Sequence, residues 1–174
     1  MKNLLFEVIK RYKFYIGLST VIYLVSIIIG LVLGMNVNLS TVEVYFNFWD
    51  IFLNNLKVGL LIIFIGLITV GIGGLFIIGY NGFYLGYILS SAIRVHGLNA
   101  IITAIAPHFL PEMMATFLCC ALGFESRSWI EKKLINSKTN HFKTEEYKII
   151  LVTFIVSLVL YAVAALIETN ISYL

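Results

Sequence analysis

Apolar residues run in long blocks with short polar interruptions, and the block lengths predict the elements. A helix rises about 1.5 Å per residue, so about 20 apolar residues cross a hydrocarbon core of about 30 Å. Residues 14–34 form the first such block. It exceeds the roughly 7 to 15 residues of a secretory h-region and no small-residue cleavage site follows, so it is expected to stay as a first span. Residues 36–55 interleave Glu43, Asp50 and several asparagines with Val, Tyr, Phe and Trp, a pattern that predicts an amphipathic helix in the interface with Trp49 at its preferred depth. Between Lys57 and Arg94 no charge occurs. That stretch is too long for one span and suits two, with a break expected at Gly71-Ile72-Gly73-Gly74, where glycine lets the backbone turn tightly. Span two is then 55–72 and span three 75–95.

The apolar segment 98–106 is too short to cross and reads as a re-entrant piece. Pro111 suits the first turn of a new helix, where its missing N–H costs nothing, so span four is expected over 111–129. A polar loop over 125–148 precedes span five, 149–171. The fold class is therefore an all-α integral membrane protein: about five transmembrane helices plus an interfacial amphipathic helix and a short re-entrant segment, in a single polytopic domain over residues 1–174.

Composition agrees with the pattern. Hydrophobic residues make up 60% and charged residues 12% of the chain, with a mean hydropathy of +0.98, whereas soluble domains carry about 25% charged residues. The net charge of +3 reflects where the basic residues fall. Lys2, Lys10, Arg11 and Lys13 precede span one, and Arg127, Lys132, Lys133, Lys138, Lys143 and Lys148 lie between spans four and five. Five spans put both groups on one face, which the positive-inside rule makes cytoplasmic; the N-terminus is expected in the cytoplasm and the C-terminus outside. The charge thus gives no support for a nucleic-acid partner, and the bilayer is the first partner expected. Adjacent Cys119 and Cys120 in an apolar helix read as small core residues.

Candidate chemistry gathers at the outer ends of the spans. The run Pro107-His108-Phe109-Leu110-Pro111-Glu112 holds both prolines of the chain, and an ionisable group at membrane depth costs about 2.5 to 3.5 kcal/mol. Topology sets Arg94 and His96 at the end of span three, His108 and Glu112 at the start of span four, and Glu168 with Asn170 near the end of span five. These residues are expected to approach one another. His108 and Glu112 share a helix face if the helix already includes His108. One reading is a metal or proton-handling site with His96, His108 and Glu112 as ligands. The preferred reading is a polar network without metal or other cofactor, in which Glu112 bonds the orphan amides of a helix start.

The remaining marks are architectural. Gly30 and Gly34, and again Gly82 and Gly86, form G-x-x-x-G pairs that let helices approach closely in lipid. Asn81 is expected to hydrogen-bond a neighbouring span, and Tyr80, Tyr84 and Tyr87 to pack. Glu131, Lys132 and Lys133 read as a solvated loop face, and His141 as a surface residue. No G-x-S-x-G elbow, G-x-x-x-x-G-K-[ST] loop or H-E-x-x-H motif occurs, so no enzyme class finds support.

In order, Asn54-Asn55-Leu56-Lys57, Tyr80-Asn81-Gly82-Phe83-Tyr84-Leu85-Gly86, His96-Gly97, Pro107-His108 with Glu112, and Gly123 resemble the stage II sporulation protein M family over residues 54–123. The resemblance implies a multi-span membrane scaffold that recruits peptidoglycan-degrading partners in forespore engulfment. Similar small proteins occur in gene clusters for circular bacteriocins, which implies immunity or export beside an ATP-driven transporter. Phe109 stands where a glycine often follows the Pro-His of the family, and the short termini are expected to leave partner contacts to loops and spans. Three functions follow. The favoured one is a non-enzymatic scaffold or accessory protein with membrane or envelope proteins, or further copies of itself, as partners. The second is bacteriocin immunity or export, discriminated by neighbouring genes for a short apolar precursor and an ATPase. The third, an intramembrane metal-dependent hydrolase, is discriminated by elemental analysis.

Overall fold

The computed structural model describes residues 2–36, 47–135 and 144–171. All regular structure among them is helical: α1 Lys2–Leu33, ending in a 3-10 turn at Gly34–Asn36, α2 Phe48–Ile68, α3 Ile72–His96, α4 Leu98–Gly123, α5 Glu125–Ile135 and α6 Thr144–Ile171. Helix satisfies every interior backbone group within its own segment, which is what a chain without water must do. Five stretches are long and apolar enough to cross a membrane: Leu4–Leu33, Phe48–Ile68, Ile72–His96, Ile105–Leu134 and Thr144–Asn170. An all-α, multi-pass membrane protein is what the hydropathy pattern calls for.

Several boundaries differ from the sequence expectation, each for a local reason. Residues 37–46 of the expected interfacial helix lie outside the described residues, and its second half belongs to α2. Asn47 caps α2: its Oδ1 accepts from the Asp50 amide at 3.0 Å, and the Asp50 carboxylate accepts from the Asn47 amide at 3.3 Å. Reciprocal capping of two orphan amides fixes the helix start, so Asp50 and Trp49 open a span instead of marking a separate surface helix.

The turn between α2 and α3 comes slightly earlier than the double glycine. Val70 and Gly71 take positive φ values of 56° and 92°, and the Thr69 hydroxyl accepts from the Gly73 amide at 2.7 Å at the start of α3. Gly73 and Gly74 are already helical.

The re-entrant segment is absent. Residues 98–106 form the first turns of α4, which runs through Pro107 and Pro111 to Gly123. The prolines remove the donors that would bond the carbonyls of Thr103 and Pro107, yet the helix continues, as membrane helices permit where neighbours support them. The expected polar loop 125–148 is largely helix: only Phe124 separates the end of α4 from the start of α5, and α6 begins at Thr144. His141 lies outside the described residues.

The packing order follows from small residues. Helix α1 lies mainly on α3, α4 mainly on α6, and α2 on α4, so α4 sits at the centre of the bundle. A methyl group on Gly30 or Gly86 would overlap the backbone of the opposing helix, at Phe83 and Tyr87 or at Ile27 respectively, and one on Gly82 would stand 2.7 Å from the Tyr23 carbonyl. The two G-x-x-x-G pairs therefore share one interface between α1 and α3, which closes because each glycine leaves room for the helix opposite it. Ile62, Ile78, Ala115, Phe117, Cys119, Cys120 and Tyr161 form a core among α2, α3, α4 and α6, with both cysteines buried and unbridged.

Candidate functional site

Helix α4 places the site. Because it starts at Leu98, Glu112 lies about four turns inside it and cannot serve the orphan amides of a helix start. His108 and Glu112 are one helical turn apart on the same face, and Glu168 comes in from α6. One ligand atom from each of the three lies within 4.8 Å of the other two, and all three residues are half-buried. Beside His108 and Glu112 is a cavity of about 220 Å³ between α1, α2, α3, α4 and α6, whose polar lining includes Asn54, Asn55, Asn81, Thr116 and Tyr161.

The cavity wall is only partly self-satisfied. The Tyr161 hydroxyl and Thr116 Oγ1 are 3.1 Å apart and hydrogen-bonded, and Thr116 also donates to the Glu112 carbonyl at 2.9 Å. In contrast, Nδ1 of His108 and Nδ2 of Asn55 are shut from solvent without a hydrogen-bond partner. Asn55 is 9% exposed. A buried polar atom left unpaired costs about 1 to 3 kcal/mol, so two on one cavity wall mark a place where chemistry is expected.

The five residues expected to cluster divide. His108, Glu112 and Glu168 converge. His96 is exposed at the end of α3 and does not join the group, so Glu168 replaces it as the third candidate ligand. Arg94 is also exposed; its Nη2 donates to the Gly34 carbonyl at 3.2 Å, which ties the end of α3 to the end of α1. The side chain of Asn81 lines the cavity and makes no hydrogen bond to a neighbouring span among the described residues. Phe109 needs no glycine-like backbone because it is helical, and its ring stacks on Tyr23 with centroids 6.2 Å apart.

A second polar site lies at the opposite end of the bundle and was not anticipated. Arg11 of α1 makes a two-pronged ion pair with Glu125 of α5, Nε to Oε1 at 2.8 Å and Nη2 to Oε2 at 2.7 Å, and the Tyr12 hydroxyl also donates to Glu125. Glu125 is 3% exposed. Lys132, read as solvated, instead pairs with Glu146 and joins α5 to α6. The available signal was Glu125 following directly on an apolar span with Arg11 and Tyr12 at the matching depth of span one, yet nothing in their spacing names them as partners.

Fold and site together define a multi-pass, all-α membrane protein with a polar cavity on its central helix. The stage II sporulation protein M family matches residues 19–173, nearly the whole chain, and the protein belongs to that family. An uncharacterized protein of Methanocaldococcus jannaschii is 30% identical over 131 residues, which cover 75% of this chain and 73% of that protein. No solved structure matches.

Proposed function

We propose that this protein is a non-enzymatic scaffold or accessory subunit that organises other membrane and envelope proteins, as the name-giving member of its family implies. The observation that carries the reading is the extent of the family match: it begins in α1 and runs through all five candidate spans, so what is shared is the bundle itself. The Arg11–Glu125 pair joins the basic N-terminal part of α1 to the start of α5, whose last turn carries Lys132 and Lys133, and this basic end supports a cytoplasmic placement there and an outer placement of the cavity end. Broad apolar faces carrying exposed Trp49, Phe64, Phe76 and Leu166 offer area for helix contacts within the bilayer as well as for lipid.

Photo-crosslinking amino acids placed at Trp49, Phe76 and Leu166 of the full chain in its native membrane test this reading. Discrete adducts with one or a few other membrane proteins, together with an envelope defect on deletion, are the expected result. Adducts with lipid alone and an unaltered envelope would overturn it.

A further inference from the structure

We propose that His108, Glu112 and Glu168 form a binding site for one divalent transition-metal ion of the zinc class, with its open coordination position facing the cavity that Asn55 lines. The proposal goes beyond the scaffold reading and does not depend on it.

Four observations converge. The first is the donor set, one imidazole and two carboxylates, which suits zinc and its first-row neighbours. The second is proximity: one ligand atom from each residue lies within 4.8 Å of the others. Ligands of a tetrahedral zinc stand roughly 3.3 to 3.5 Å apart, so binding needs the three side chains to draw in by up to about 1.5 Å, within rotamer adjustment on two helices already packed together. The third is charge. Two carboxylate side chains beside an imidazole in a half-buried pocket favour a bound dication over a neutral ligand. The fourth is the pair of unpartnered atoms. An imidazole nitrogen closed off from water finds a partner in a metal bond or in a hydrogen bond that orients the ring, and the Asn55 amide finds one in a water held at the open position. Asn55 comes from a different helix and is nine-tenths buried.

Among the described residues, a second cavity of about 220 Å³ lies beside Arg11, Tyr12 and Glu125, but its charged groups already pair with one another, Arg11 with Glu125 and Lys132 with Glu146. The groove between α1 and α3 is lined almost wholly by apolar side chains. Cys119 and Cys120 lie in the packed core.

The test uses the full chain purified in detergent, stripped by chelator and titrated with Zn²⁺. Elemental analysis after dialysis is expected to give one equivalent, and saturating Zn²⁺ to raise the melting temperature by about 5 °C or more. His108→Gln, Glu112→Gln and Glu168→Gln should each weaken binding by more than about 100-fold, since loss of an outer-shell partner alone costs roughly 10 to 100-fold. His96→Ala should leave it unchanged. Should a variant fail to fold, Co²⁺ added to the unaltered protein still decides the matter: an intense visible absorption band displaced by Zn²⁺ supports the site. Less than a tenth of an equivalent of metal with no thermal shift, or binding that survives both glutamate substitutions, would overturn it.

Discussion

Glu125 is the most consequential single residue outside the cavity, because three donors converge on a carboxylate that water barely reaches. Breaking one side of such a pair leaves a buried charge, whereas replacing both sides does not. Arg11→Met is therefore expected to destabilise the bundle by about 3 kcal/mol. The double variant Arg11→Met with Glu125→Gln should recover more than half of that, since the amide still accepts from Tyr12. Denaturant unfolding in micelles measures both, and equal losses in the two variants would contradict the account. Cys119 and Cys120 supply a reporter at the same scale. Both are buried in the core and unbridged, so a bulky maleimide is expected to label neither in the folded protein and both after unfolding. Rapid labelling under native conditions would mean the core around Phe117 and Tyr161 is open. Their burial was legible in the sequence as adjacent cysteines in an apolar helix, while the partners of Glu125 were not.

Between elements, closeness of approach decides the packing of α1 on α3. Gly30 faces the backbone of Phe83 and Tyr87, while Gly17 on the same helix has nothing within 4 Å of where its side chain would project. Alanine at position 30 should cost about 1 to 3 kcal/mol through overpacking, and alanine at position 17 should be neutral or slightly stabilising through helix propensity. Thermal unfolding of the two variants compares them directly, and similar melting temperatures would remove the close contact from the account. At the turn, Gly71 combines a φ of 92° with a position against the Phe124 ring. Gly71→Ala should therefore destabilise by at least about 1 kcal/mol, read in the same assay. The G-x-x-x-G pairs were visible in sequence because small residues at that spacing serve one purpose in lipid. The course of α4 was not. Proline is read as a breaker from its missing donor and ring clash, whereas α4, packed against α2, α3 and α6, continues through two of them.

For the whole molecule, the Arg11–Glu125 contact brings the N-terminal end of α1 and the α4–α5 junction to one end of the bundle, with the cavity toward the other. Single cysteines introduced at Lys13 and Lys133, in a background lacking the native pair, should both react with an impermeant thiol reagent only from the cytoplasmic side. One at Trp49 should react only from outside. Opposite sidedness of the first two would refute the topology. The sequence by itself determined the class of protein, the number of crossings and their approximate limits. Transfer of an apolar stretch from water to hydrocarbon is a local property, summed over consecutive residues and blind to what lies beside them. The tertiary structure alone decided that Glu168 and not His96 completes the group at His108 and Glu112, that Asn55 stands buried and unpartnered beside it, and that Arg11 meets Glu125 across 114 positions. Such pairings depend on the rotation and depth of each helix against its neighbours, which side-chain packing sets and hydropathy does not register.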